Sequence, residues 1–305
     1  MKRNTAFIRI LLLSLLLIFG FTHFSFALDQ VVVGAWNVED LGKPEHRGNS
    51  AKGVPQQAAD IANYIKSSGV HVLALEEIYA ENETGNPQND TLNKVVKTLS
   101  SDGATWTYRL FRGPTSKAVT RLTGVMWNEA ILKPAGDPMP LDVPPNSFHG
   151  KGKPTAMKFS AGQGKMDFVI IPVHMKSNRG GVEKAALQRV EEAKMIVACL
   201  PAVGEKFATD NIIIIGDVNA LHHSEEAIKI FLDKGFRDLN EQDLVTYISK
   251  KCTNSPLDRA LVHSYQRVFS DSKMEVFKPT KMTPEEFRQK LSDHYMIRVS
   301  VKITP

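Results

Sequence analysis

The sequence predicts one domain of mixed strands and helices, α/β or α+β, running from about residue 28 to residue 305. Three observations predict it. Short apolar runs of strand length alternate with stretches of helical periodicity. No repeat, low-complexity tract or linker divides the chain. The composition, 42% hydrophobic and 23% charged over 305 residues, is that of a globular protein with a large core. It excludes disordered, collagen-like and coiled-coil classes.

The first 27 residues read as an address. Lys2, Arg3 and Arg9 precede an unbroken apolar run at 10–21, and small residues follow at Ser25 and Ala27. That run is shorter than the ~20 residues of a membrane-spanning helix, and its flanks fit a secretory signal peptide. The alternative is an uncleaved anchor. No later segment approaches that length, so the mature chain is expected to be secreted or periplasmic, monomeric, and without stable membrane association. Removing the leader's three basic residues from the 38 Lys+Arg leaves 35 against 33 Asp+Glu. The net charge of +5 is therefore partly an export signal, and the mature chain sits near +2.

From residue 31 the elements follow in order. VVVGAWN (31–37) is a β-branched apolar run of strand length. Pro55 opens a helix to residue 67, with Ala58, Ala59, Ala62 and Ile65 near helical spacing and Gly69 as its stop. VHVLALEE (70–77) is a buried strand ending in two carboxylates. Residues 91–99 read as helix, 106–111 and 122–127 as strands, and the Pro- and Gly-rich stretch 136–154 as loop. Residues 155–159 and 166–174, separated by AGQG, read as a hairpin. Residues 183–200 form an amphipathic helix through Ala186, Val190, Ala193 and Val197. NIIIIGD (211–217) is the most apolar strand and is expected in the interior. Ser224 caps a helix running through Asp233, with Glu225 and Glu226 at its positive end. Thr283-Pro284-Glu285-Glu286 is a capping box, lying between the late strands 257–262 and 295–303.

Chemistry gathers where these runs stop. Trp36-Asn37, Leu75-Glu76-Glu77, Pro172-Val173-His174, Gly216-Asp217-Val218-Asn219 and Ser292-Asp293-His294 place acids, amides and histidines at strand ends, where a rigid sheet positions function. Taken singly, each has a plain explanation as a turn, cap or solvated end. Hard oxygen and amide donors suit Mg²⁺, Mn²⁺ or Ca²⁺ better than zinc. The sequence has no H-E-x-x-H, Cys-x-x-Cys, Walker loop, G-x-S-x-G or G-x-G-x-x-G. What remains is metal-assisted attack of water on a phosphoester. Cys199 and Cys252 make neither a disulfide framework nor a thiolate zinc site. In an oxidising compartment they could form one bridge. The blander reading has Cys199 on an apolar helix face and Cys252 free in a loop.

The ordered set Trp36-Asn37, Leu75-Glu76-Glu77, Pro172-Val173-His174, Gly216-Asp217-Val218-Asn219, Leu257-Asp258-Arg259 and Ser292-Asp293-His294 resembles the endonuclease/exonuclease/phosphatase superfamily. The resemblance spans nearly the whole mature chain. It implies a four-layer α/β/β/α sandwich, an α+β fold of two mixed sheets flanked by helices, with the site across one edge. By the same resemblance Glu77 is the principal metal ligand, joined by Asn37 and Asp293, and the metal is Mg²⁺, with Mn²⁺ or Ca²⁺ as alternatives. His174, Asp217, Asn219, Asp258 and His294 are implied as catalytic, with Asp258 orienting His294. Asn37, Lys176 and Asn219 are implied at the phosphate. The segments around His174-Met175-Lys176-Ser177 and Gln188-Arg189 are similar to bacterial extracellular nucleases. Those around Asp258 and His294 are similar to pancreatic-type deoxyribonucleases.

Two departures stand out. Residues 119–123 (Val-Thr-Arg-Leu-Thr) lack the acid that partners the first histidine in those deoxyribonucleases. Gly152, between Lys151 and Lys153, occupies the place of an expected arginine. Lys151, Lys153, Lys176 and Arg179 form a local basic cluster near the expected site. The leading reading is a secreted metal-dependent phosphodiesterase acting on nucleic acid, most simply DNA. Its rivals are a phosphatase or phospholipase-type enzyme of the same superfamily, and a non-catalytic binding protein on this fold. His222-His223 reads as an exposed loop pair, and Trp106, Tyr108 and Trp127 as core. Asn82 and Asn89 match the glycosylation pattern.

Overall fold

Four consecutive isoleucines, Ile212, Ile213, Ile214 and Ile215, are all buried, and their alternation sets the layering. Ile213 and Ile215 join the core between two sheets. Ile212 and Ile214 face the opposite way, into a core shared with helices. The computed structural model describes residues 28–43, 56–82, 85–101, 103–112, 121–144, 147–148, 153–250 and 254–305. The expected leader, Pro55, Lys151, Gly152 and Cys252 lie outside them.

In chain order the elements begin with β1 (Gln30–Leu41), α1 (Ala58–Ser68), β2 (Val72–Ile78), α2 (Asp90–Leu99), β3 (Trp106–Phe111) and β4 (Leu122–Asn128). The short β5 (Lys133–Pro134) and β6 (Met139–Pro140) precede β7 (Thr155–Ser160), β8 (Phe168–His174), α3 (Val182–Phe207) and β9 (Ile212–Asp217). Then come α4 (Glu226–Leu232), β10 (Phe236–Asp238), β11 (Asp258–His263), β12 (Met274–Phe277), α5 (Pro284–Lys290) and β13 (Met296–Lys302). One sheet has the order β12-β13-β1-β2-β4-β3, the other β10-β11-β9-β8-β7-β5 with β6 on β7.

Val33, Ala35, Val72, Ala74 and Trp127 of the first sheet meet Phe159, Phe168, Ile170 and Val262 of the second in the central core. On the outer face of the first sheet, Ile61 and Ile65 of α1 and Leu92 and Val95 of α2 cover Leu73, Leu75 and Met126. On the outer face of the second, Ala193, Ile196 and Leu200 of α3 and Ile228 and Phe231 of α4 cover Val169, Ile171 and Ile214. Each such buried Val, Leu, Ile, Phe or Met side chain contributes about 1.5–3 kcal/mol. This is the expected four-layer α/β/β/α sandwich of two mixed sheets.

Topology brings the polar strand ends together. β1 and β2 are parallel, as are β8 and β9, and each pair is joined by a crossover helix, α1 or α3. The C-terminal ends of these four strands therefore lie on one edge. β11 and β13 run antiparallel to β9 and β1, with Asp258 opposite Asp217 and Ile297 opposite Ala35. Their starts consequently reach the same edge.

Several expectations are corrected. The helix expected to end at residue 200 continues to Phe207 through Pro201, because Val203 and Phe207 still bury against the second sheet. The N-cap of α4 is Glu225, not Ser224. Within the expected loop 136–154, β6 pairs with β7. Strand β1 reaches Leu41, past its expected end, through a bulge after Asn37. The capping box at Thr283 and Glu286 is present with both hydrogen bonds. Asn89 is fully buried as the N-cap of α2, donating to the carbonyls of Leu41 and Tyr79, so it offers no glycosylation site.

Candidate active site

A cavity of about 450 Å³ opens at the shared strand edge. Asn37, Glu77, His174, Asp217, Asn219, Asp293 and His294 all line it. Asp258 stands behind His294, fully buried, with Oδ2 2.8 Å from His294 Nδ1. His294 Nε2 lies 3.9 Å from both Asp217 Oδ2 and Asp293 Oδ1. Burial opposes charge on this imidazole, but Asp258, Asp217 and Asp293 outweigh it and hold the proton well above the usual histidine range. The backbone is fixed as tightly as the ring. His294 N donates to Ser292 Oγ, which donates to the Asn37 carbonyl, and Trp36 Nε1 donates to the His294 carbonyl.

The G-D-x-N turn owes its shape to Gly216, at φ +139°. A Cβ there would lie 2.3 Å from the Val173 carbonyl and 2.5 Å from Glu76 Oε1, so only glycine fits. Asp217 Oδ1 accepts from the Asn219 amide and Oδ2 from Asn37 Nδ2. Asn219, itself left-handed at φ 60°, donates to the Met175 carbonyl and accepts from Asn178. Beneath this turn the buried Arg189 binds Glu225 Oε2 through Nε and Nη2, and Lys176 O and Asn178 Oδ1 through Nη1. It ties the loops after β8 and β9 to one guanidinium.

His174 Nε2 sits 3.6 Å from Glu77 Oε1 and 3.4 Å from Asp217 Oδ2. These carboxylates surround the first histidine in the absence of the acid missing from 119–123. That stretch instead brings Arg121 to the cavity. Its Nε and Nη2 meet Asp40 Oδ1 and Oδ2 at 2.5 and 3.0 Å. Burial works against the guanidinium charge, but Glu77 and Asp40 overcome it and hold Arg121 ionised.

Lys176 is not brought into the cavity. Its Nζ donates to the carbonyls of Ser177 and Arg179, and among the described residues of the anticipated basic cluster Arg179 lines the site. Lys153 lies near Cys199 instead. The thiol of Cys199 donates to the Asp142 carbonyl. His222 and His223 are exposed beside Asp243, as expected of a loop pair.

Sequence reasoning gave no site role to Glu39, Asp40, Glu76 or Arg121. Glu76 is fully buried with neither carboxylate oxygen hydrogen-bonded. Burial first, then Asp258 and Asp217, raise its pKa well above the carboxylate range and disfavour its charged form. Glu39, Asp40 and Glu77 have φ of 50°, 55° and 60°, left-handed values that cost non-glycine residues energy and collect at functional sites. They sit in two irregularities, Glu39 and Asp40 in β1 and Glu77 in β2, and all three line the cavity.

The donor set fits a divalent metal. Glu39, Glu77 and Asp293 supply hard oxygens beside Asn37, and Glu39 Oε2 is buried without a hydrogen-bond partner. Burial, then Asp293 and Glu77, push the pKa of Glu39 up to about 9. Such crowding is what a bound cation relieves. Asp217, Asp258 and His294 also bring ligand-type atoms within 4.8 Å of one another, but a cation there would displace the hydrogen bond between Asp258 and His294.

No protein-family model matches the sequence, and no curated protein matches it. Solved structures do. An endonuclease/exonuclease/phosphatase family protein from Bacteroides thetaiotaomicron matches at 16% identity and a TM-score of 0.62, over 90% of this chain and 95% of that one. Truncated Caenorhabditis elegans TDP2 matches at 13% and 0.61, over 90% and 97%. A mannosyl-6-phosphatase from Bacteroides thetaiotaomicron matches at 16% and 0.60, over 89% and 99%. At these identities the likeness is one of architecture, and the chain has the endonuclease/exonuclease/phosphatase fold.

Proposed function

We propose that this protein is a metal-dependent phosphoester hydrolase that cleaves nucleic acid, DNA in the first instance, and that the chain is exported. One observation carries the reading: a buried aspartate–histidine pair, the Asp217–Asn219 turn and a cluster of hard-oxygen donors face one cavity. Export rests on the basic and apolar pattern of the first 27 residues. Among the described residues no helix is long and apolar enough to cross a membrane.

Asn37, Glu77 and Asp293, with Glu39 beside them, would hold the metal, Mg²⁺ in the first instance. Bound there, it would neutralise charge on the phosphoryl oxygens. Asp217 orients the attacking water and accepts its proton, and the Asn219 turn keeps that carboxylate fixed. Protonated His294, held in one orientation by Asp258, donates toward a phosphoryl oxygen from Nε2. His174, whose Nε2 also lies beside Asp217 Oδ2, gives a proton to the leaving oxygen.

A second reading, a small phosphomonoester as substrate, is favoured by the withdrawal of Lys176 onto backbone carbonyls. A cavity rim with fewer free cations attracts a long polyanion less strongly. The test is hydrolysis of plasmid DNA, RNA and a phosphomonoester panel with Mg²⁺, Mn²⁺ or Ca²⁺, alongside His294→Ala. Cleavage of DNA lost in the variant supports the nuclease. Turnover of monoesters with DNA left intact supports the second reading, and no turnover with no metal binding leaves a binding protein.

A further inference from the structure

We propose that Arg121 anchors the phosphoryl group of the substrate in this cavity, presenting Nη1 to a non-bridging oxygen beside Glu77. The inference rests on the phosphoester reading above and assigns a residue to the role that Lys176 was expected to fill.

Arg121 lines the cavity, and its side chain keeps 28% of its surface exposed there. Two of its nitrogens are committed to Asp40 in a bidentate fork, which fixes the guanidinium plane. Nη1 stands 3.6 Å from Glu77 Oε1, too far for a hydrogen bond. His174 Nε2 stands 3.6 Å from the same oxygen. An anion seated next to Glu77 therefore has both a planar cation and an imidazole within reach.

The backbone is bent to make this arrangement. Glu39 and Asp40 are consecutive left-handed residues, and the bulge they form aims the Asp40 carboxylate at Arg121 while its amide donates to Glu77 Oε2. One strained turn thus orients both the proposed metal ligand and the arginine. Arg179, the other arginine on the cavity wall among the described residues, is exposed.

Charge neutralisation alone would give Arg121 a place among these acids, so the test separates the two roles. Binding of inorganic phosphate to the full chain with Mg²⁺ is measured by titration calorimetry for the wild type, Arg121→Met and Arg121→Lys. Metal affinity and KM against kcat are measured alongside. The anchor reading expects phosphate to bind about 10- to 150-fold more weakly to Arg121→Met, the fold-change of one charge-assisted hydrogen bond. KM rises more than kcat falls, and metal affinity is not reduced. Arg121→Lys, which keeps charge and stem but loses the fork, falls between and covers the case in which Arg121→Met does not fold.

Phosphate affinity within twofold of the wild type in a folded variant overturns the proposal, as does full rescue by lysine. Failure of the wild type to bind phosphate also overturns it. A wild type that binds phosphate through Arg121 yet hydrolyses nothing sinks the hydrolase reading and leaves the anchor standing. Turnover that is unchanged in Arg121→Met does the reverse.

Discussion

Replacing Asp258 by asparagine removes one charge from the proposed proton-handling pair with almost no change of shape. Asp258 Oδ2 lies 2.8 Å from His294 Nδ1 and both groups are buried, so solvent screens the interaction little. A hydrogen bond to a charged group in such a place is worth about 1.5–3 kcal/mol. At about 1.4 kcal/mol per tenfold in rate, kcat should fall about 10- to 150-fold. The pH profile carries an independent signature. Asp258 is foremost among the groups that raise the pKa of His294 against its burial. Without it the imidazole loses its proton at lower pH, and the alkaline limb of kcat shifts downward. The assay is steady-state hydrolysis of bis(4-nitrophenyl) phosphate with Mg²⁺ from neutral to alkaline pH. A kcat within twofold of the wild type and an unmoved alkaline limb would refute the reasoning. Metal affinity should be unchanged, and a tenfold loss would make Asp258 a metal ligand instead.

Further outcomes follow from other parts of the site. Glu76→Gln removes a buried titratable group whose folded pKa is raised. The contribution of Glu76 to stability is therefore fully present below the unfolded carboxylate value, near pH 4.3, and is lost as pH rises through the folded value. The glutamine variant should show a flatter melting profile, with its advantage widening above that pH, and parallel profiles would contradict this. Gly216→Ala pushes a Cβ into the Val173 carbonyl and Glu76 and should cost about 3 kcal/mol in chemical denaturation. Arg189→Met strands Glu225, Asn178 and the Lys176 carbonyl around an uncharged side chain. It should cost about 3 kcal/mol, and much of that should return in Arg189→Met with Glu225→Leu, because the stranded charge is then gone. A double variant no more stable than the single would show that the ion pair is not the source.

Much of this molecule was legible in its sequence, and the physical reasons are specific. Strands buried on both faces, such as NIIIIGD, announce themselves as apolar runs, and the acids and amides that end them mark one edge of the sandwich once the parallel pairs are recognised. What escaped notice depends on register and backbone bend rather than on composition. β10 and β12 are three and four residues long, too short to display a period. The helix expected over 183–200 runs on to Phe207 because the burial of Val203 and Phe207 is tertiary. Ser224 looked like a cap, but the N-cap of α4 is Glu225, whose carboxylate accepts from Arg189 and the Leu221 amide and caps nothing in the helix. Glu39 and Asp40 reach the cavity through a left-handed bulge that carries no glycine to announce it, and Arg121 joins them through its fork to Asp40. Lys176 was read for its charge, whereas its ammonium is satisfied by two carbonyls of its own loop.

The central claim is that Asp217, Asp258 and His294 hydrolyse a phosphoester beside a metal held by Glu77 and its neighbours. Its most direct test is hydrolysis of bis(4-nitrophenyl) phosphate by the wild type, His294→Ala and Glu77→Gln, each with Mg²⁺ and again after chelation. The account predicts turnover by the wild type alone, abolished by the chelator and restored by added Mg²⁺. Turnover that survives chelation, or that persists in both variants, would contradict it.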